Sequence, residues 1–265
     1  MPFRVVVLLI AVALLTACNA RDRSQASARA AEAARATANA TPPSLTSAAI
    51  AGGGVTLTGR AAPASRVRLA TPQGEALFTP AGADGAWRMT LPASTDLRLF
   101  GLSMQEADTR RTVQSEGYLA VSPDGAAAQL RAGAGAVVAA RTPLGVRILA
   151  VDFDRQGGAV ISGQAAPGVT IITRVDGVQR GQGPSDAQGR FSVSLSEPLG
   201  RGRHDIEAAD GGNRTRAVAV VSPAPPLTQA PFRAERNPTG WRIDWMTPGG
   251  GVQTTLMIMT SEPAT

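Results

Sequence analysis

Lysine is absent from this chain: all 26 basic side chains among its 265 residues are arginine. That excludes Schiff-base lysines, lysine general bases and Ser-Lys dyads. His204 is the single histidine, so paired-histidine mechanisms and His-rich metal sites are excluded too. Cys18 is the single cysteine, which leaves no intramolecular disulfide. Aromatic residues make up 4%, with one tyrosine, which leaves few rings on which bases could stack. The net charge of +6 comes from arginines spread along the whole chain, which reads as a basic surface and not a nucleic-acid groove. What is abundant is glycine (29) and proline (19), and turn formers in that number favour short strands joined by many turns.

The N-terminus reads MPFRVVVLLIAVALLTAC. After Arg4, the apolar run from Val5 to Leu15 is eleven residues long. A helix needs about 20 residues to span a bilayer, so this run suits the hydrophobic core of a signal peptide. It ends in Leu15-Thr16-Ala17-Cys18, which resembles the bacterial lipobox: a branched residue, two small ones and the cysteine that receives lipid. The resemblance implies cleavage before Cys18, lipidation of its thiol, and membrane attachment through that lipid. It also removes cysteine-nucleophile chemistry. Asn19, where aspartate would signal inner-membrane retention, implies the periplasmic face of the outer membrane. Residues 19–49 are rich in Ala, Arg, Ser and Thr, have no core-forming pattern, and read as a flexible tether.

Beyond the tether the chain repeats itself. VTLTGRAAPASRVRL (55–69) matches AVISGQAAPGVTIIT (159–173), and ADGAWRMTL (83–91) matches AQGRFSVSL (187–195), both at an offset of 104 residues. Trp87, Met89 and Leu91 alternate with polar residues, as do Phe191, Val193 and Leu195, which predicts strands with one apolar face. Asp84-Gly85 and Gln188-Gly189 predict tight turns before them. A weaker echo, from Leu130 and from Phe232, suggests a β-hairpin after each copy.

The second copy resembles bacterial Ig-like domains through Gly163, Ala165, Pro167, Gly168, Gly189, Phe191, Val193 and Leu195. The run from Leu199 to Asn213, with Gly202, His204, Ile206, Ala208 and Asp210, continues the likeness. The first copy departs from the pattern at LRLFGLSMQEADTRR, so its late strands are placed by position over Leu97–Met104 and Thr112–Val121. Both copies close on Ser-Pro, at Ser122-Pro123 and Ser222-Pro223. The resemblance implies a β-sandwich for each copy.

Candidate chemistry is sparse. His204 lies in an alternating strand, and no Gly-x-Ser-x-Gly elbow accompanies it. Asp152 and Asp154 present two carboxylates, short of the six to eight oxygens calcium requires, and read as solvated strand charges. Asp84, Asp124, Asp186 and Asp210 read as turn residues, and Gly249-Gly250-Gly251 as a turn without the lysine of a phosphate loop. Trp241, Ile243 and Trp245 share a strand face that either covers a core or stacks on a ligand such as a sugar ring.

These readings predict an all-β chain. A signal peptide (1–17) precedes lipidated Cys18 and its tether (18–49). Ig-like module 1 (50–124), a connecting hairpin (125–153), Ig-like module 2 (154–223) and a C-terminal hairpin (224–265) follow. The expected function is a non-catalytic envelope interaction or spacer module without cofactor or metal, contacting peptidoglycan or an envelope protein. The alternatives are an accessory envelope hydrolase and a cell-surface adhesin.

Overall fold

A computed structural model describes residues 41–139, 145–228, 230–259 and 262–263, and the ordered elements are strands throughout, with no helix. Residues 42–265 form one compact unit. The signal-peptide, lipobox and tether expectations for residues 1–40 lie outside the described residues.

In the first copy, β1 (Ser44–Ala51), β2 (Gly54–Arg60) and β5 (Ala86–Pro92) form a three-stranded sheet in the order β1-β2-β5, sheet I. Facing it, sheet II contains β3 (Arg66–Ala70), β4 (Ala76–Pro80), β6 (Arg98–Gln105) and β8 (Tyr118–Val121), with β7 (Thr112–Gln114) against β6. The strands β9 (Ala127–Leu130) and β10 (Val137–Ala139) extend it to the order β10-β9-β8-β6-β3-β4. In the second copy, β12 (Ala159–Gln164), β13 (Thr170–Val175), β14 (Val178–Pro184) and β15 (Arg190–Ser194) repeat β2 to β5. Then β16 (Gly202–Ala209) matches β6, and β17 (Arg214–Val221) matches β7 and β8 together.

The predicted equivalence of the copies holds in detail. Trp87 pairs with Gly59 and Phe191 with Gly163, and both aromatic rings are buried. Each glycine is required by that ring. A Cβ on Gly59 would sit 2.4 Å from Trp87, and one on Gly163 would sit 2.6 Å from Phe191. The turns before these strands use Gly85 and Gly189 at φ of 78° and 75°, where a side chain would be strained.

The expected boundaries differ in three places. Residues 44–49 belong to strand β1 and not to the tether. Residues 125–153 do not make one connecting hairpin: β9 and β10 extend sheet II, while β11 (Arg147–Asp154) is the first strand of the second copy. The C-terminal segment is more than a hairpin. It supplies β18 (Phe232–Asn237), β19 (Gly240–Met246) and β20 (Val252–Ile258), which build sheet III in the order β15-β12-β11-β20-β19-β18. A short β21 (Glu262–Pro263) joins sheet IV, β14-β13-β16-β17-β21. The weak echo between the segments from Leu130 and Phe232 therefore has no structural counterpart, because β9–β10 and β18–β20 extend different sheets.

The copies are fused, not strung as separate beads. Leu57, Leu69, Trp87 and Phe100 fill a core between sheets I and II. Ile161, Ile171, Phe191 and Ile206 fill another between sheets III and IV. A third core lies between sheets II and III, where Leu97, Leu99, Ala128 and Leu130 meet Ala150, Trp241, Ile243, Trp245 and Met257. The middle sheets are apolar on both faces: in β6, Leu99 enters the middle core while Phe100 and Leu102 enter the first. The result is four stacked β-layers around three cores.

Candidate functional site

The outer face of sheet IV gathers charge. Ile171, Val175, Ile206 and Ala217 point to the core, so by the alternation of a strand Arg174, Arg203, Asp205, Glu207, Arg214 and Arg216 point outward. Glu207 is the hub. Arg174 reaches its Oε1 at 3.0 Å, and Arg216 reaches its Oε2 at 3.2 Å. Two shallow hollows flank this triad. One, of ≈ 460 Å³, is lined by Arg203, Asp205, Arg216 and Val218; the other, of ≈ 430 Å³, by Ile172, Ala209 and Arg214. Arg203 pairs with Asp205 at 3.3 Å, and Asp176 also lines the first hollow, so four guanidinium groups meet three carboxylates. The face keeps a small positive excess, and the N–H groups that these pairs leave unused can meet a further carboxylate or phosphate.

At one end of sheet IV His204 forms a clasp. The Asp176-Gly177 pair closes the β13–β14 hairpin with both residues at positive φ, 51° and 82°. An Asp-Gly pair between apolar strands is a hairpin signal, which the sequence reading passed over. The Asp176 carboxylate accepts hydrogen bonds from His204 Nδ1, at 2.8 Å, and from the Asp205 amide, at 2.9 Å. His204 Nε2 lies 2.8 Å from the Gly200 carbonyl. Both ring nitrogens face acceptors, an arrangement that both can satisfy only as imidazolium. The hydrogen bond to Asp176 accordingly holds the imidazole above its ordinary range, and the same bond holds the carboxyl below its own. Among the described residues no serine is hydrogen-bonded to this histidine, and both of its nitrogens are committed to the clasp.

Asp152 is not a solvated strand charge; it is buried, 1% exposed. It sits on the middle-core side of β11. Its Oδ2 accepts from the Ala136 amide at 2.8 Å, and its Oδ1 from Thr255 Oγ1 at 2.5 Å and Gln253 Nε2 at 3.2 Å. Burial pushes its pKa up against the opposing pull of those donors. On the other face of sheet III, Asp244 is equally buried. It is held by Arg233 at 2.9 Å, by Arg242 at 2.9 Å and by Thr254 Oγ1 at 2.7 Å. Asp154 turns away from Asp152 and caps its own turn through the Gln156 and Gly158 amides. No group of three or more His, Cys, Asp or Glu side chains suited to a metal occurs among the described residues.

The remaining sequence candidates fall as follows. Asp84, Asp186 and Asp210 accept backbone amides within turns, as expected. Gly249-Gly250-Gly251 is a turn closed by the Thr247 amide on the Gly251 carbonyl, at 2.8 Å. Asp124 hydrogen-bonds Ser122 and pairs with Arg236 at 2.7 Å, linking the turn after β8 to β18. Trp241 and Trp245 are corrected as ligand contacts: they are 6% and 0% exposed, because sheet II covers them. Trp245 Nε1 donates to Thr255 Oγ1 at 3.1 Å, and Tyr118 meets its ring edge-on at 5.9 Å. Leu15, Thr16, Ala17 and Cys18 lie outside the described residues.

No protein-family model matches the chain, and no curated protein matches it in sequence. Among solved structures it is similar to the BSP domain of a biofilm-associated protein, at 12% identity and a TM-score of 0.25. That match covers 69% of this chain and 30% of the other. The chain thus spans less than a third of that protein's length. A second likeness is to the central fibronectin-III array of RIM-binding protein, at 11% identity, TM-score 0.26, and coverage of 86% and 97%. A third is to a Ca²⁺-stabilised adhesin with which an Antarctic bacterium binds ice, at 12% identity, TM-score 0.22, and coverage of 83% and 91%. Similarity at this level bears on neither ligand nor partner.

Proposed function

We propose that this chain is a lipid-anchored, non-catalytic interaction module of the bacterial cell envelope. In this reading the acyl chains on Cys18 hold it to the outer membrane, and the outer face of sheet IV contacts anionic cell-wall polymer. The observation that carries the binding reading is the Arg174, Arg203, Arg214 and Arg216 array, set on adjacent strands of a rigid sheet. The lipobox-like Leu15-Thr16-Ala17-Cys18 run supports the anchor.

Exposed charge pairs are weak singly, so binding by this face is multivalent and falls as salt shortens the Debye length to ~3 Å near 1 M. Residues 42–265 should sediment with purified peptidoglycan at low salt and be released at high salt. The triple variant Arg174→Gln/Arg214→Gln/Arg216→Gln should lose that binding while keeping its fold. Sedimentation at no salt concentration would remove the cell-wall reading. Binding that the triple variant retains would move the contact to another face. The anchor is tested separately: palmitate labelling should be lost in Cys18→Ser, and label retained on the mutant would refute it.

A further inference from the structure

The two copies start on equivalent strands. Leu45 pairs with Gly59 and Ile148 with Gly163, and each pairing slips by one residue at the same place, between Leu45 and Ser47 and between Ile148 and Ala150. Their surroundings differ. In the second copy β20 runs antiparallel along the far edge of β11, from Ala150 opposite Met257 to Asp154 opposite Gln253, and Ile148 to Phe153 are buried. In the first copy, among the described residues, β1 is hydrogen-bonded in a ladder to β2 alone. Thr46, Ser47, Ala49, Ile50 and Ala51 are exposed, Ile50 by 64%. Among the described residues, the slot beside β11 is filled by a strand and the slot beside β1 holds none, with only the turn at Gly125 packed against Ile50.

An open edge presents a row of amide and carbonyl groups ready to pair, and proteins guard such edges with charge, proline or brevity. The other sheet-ending strands among the described residues carry such guards: Arg190 in β15, Arg233 in β18, Arg180 and Pro184 in β14, Arg88 in β5 and Pro80 in β4, while β10 has three residues and β21 two. The eight residues of β1, SLTSAAIA, hold neither charge nor proline. Its chemistry resembles that of β20, VQTTLMI, the uncharged strand that fills the equivalent slot.

We propose that the open edge of β1 pairs antiparallel with β1 of a second copy of this chain. A two-fold axis then brings the same uncharged edge to both sides without like-charge repulsion. It creates a continuous six-stranded sheet β5-β2-β1-β1-β2-β5, with the strand count of sheet III. The self-contact is independent of the arginine face, which lies at the opposite end of the layer stack. One eight-residue edge is a small interface, so the dimer should be weak and in exchange with monomer.

Residues 42–265 hold all three cores and no cysteine, so they serve for the test. Sedimentation equilibrium should show a monomer–dimer mixture across the micromolar range. Single cysteines placed in turn at Ser47, Ala48, Ala49 and Ile50 should cross-link most at one position and less on either side of it, as an antiparallel two-fold requires. Ser47→Lys/Ala49→Lys should weaken association at least about tenfold without lowering Tm, because both side chains are exposed and like charges would face each other. Mixing that variant with Ser47→Glu/Ala49→Glu should restore a dimer. A monomer at every concentration would overturn the proposal, leaving β1 as a site for some other strand. Association unaffected by the lysine pair, or cross-linking equal at all four positions, would overturn it as well.

Discussion

Replacing Trp245 with alanine would empty the centre of the middle core. The indole is wholly buried between sheets II and III, where it meets Tyr118 and donates to Thr255. An aromatic side chain of this kind buries about 200 Å², worth roughly 5 kcal/mol at ~25 cal/mol/Å². That is an upper bound, because a denatured chain already hides part of its apolar surface. The lost hydrogen bond adds about 1 kcal/mol, and the retained Cβ and partial collapse of the cavity subtract from the sum. The expected loss is about 3–5 kcal/mol, a large share of the ~5–15 kcal/mol that holds a typical domain folded. Urea unfolding would measure it, and amide hydrogen exchange would locate it. Because the core is shared, protection should fall together in β2 and β5 of the first copy and in β12 and β15 of the second. A loss under about 1 kcal/mol, or unchanged protection in β2 and β5 while β19 and β20 open, would refute the idea that this core fuses the copies.

Three other expectations follow from the polar and close-packed sites. Burial raises the Asp152 pKa in the folded state, so its contribution favours folding below the ordinary carboxylate range and is lost as pH rises through the raised value; Asp152→Asn should flatten that part of the stability–pH curve, and an unchanged curve would refute the assignment. His204 is also raised, so the stability from its clasp is present below its unfolded pKa and disappears as pH rises through the folded one; His204→Ala should cost more stability in mildly acid than in alkaline buffer, and its imidazole titration, followed by NMR, should fall towards the ordinary value in Asp176→Asn. Gly59→Ala and Gly163→Ala should each destabilise by about 1–3 kcal/mol, since a Cβ would strike both the facing ring and a carbonyl of the neighbouring strand 2.0 Å away; full stability of either variant in thermal melts would break the proposed equivalence.

The duplicated heart of each sandwich was legible because one face of β5 and of β15 meets core and the other meets solvent. Period-two alternation then survives in Trp87, Met89, Leu91 and in Phe191, Val193. The layered arrangement was not legible. Strands that pack on both faces, such as β6 and β11, lose the alternation that marks a strand, and a run such as Leu97 to Leu102 does not say what covers it. The Trp241-Ile243-Trp245 stripe was visible as a stripe, but its cover comes from β6, β8 and β9, far away in sequence. Asp152 reads as a surface charge because its donors, Ala136, Thr255 and Gln253, are distant in the chain. Strand β1 was hidden by its composition: serine, threonine and alanine in SLTSAAIA resemble a linker, and only pairing with β2 makes a strand of them. The arginine face needed the fold, since its four members come from three strands spaced along the sequence.

Each end of the four-layer stack finishes in a sheet whose outer face is largely polar, while the two middle sheets have no solvent face over the middle core. A gene segment encoding one copy could not be excised without baring the Leu99 and Leu130 side of sheet II or the Trp245 side of sheet III to water. Nor could a third copy be spliced on by stacking, because the terminal sheets turn arginine and threonine outward where a new layer would need leucine. The architecture is therefore closed to lengthening and shortening alike. Where bead-like modules vary their span by copy number, these two fused copies have a single fixed thickness.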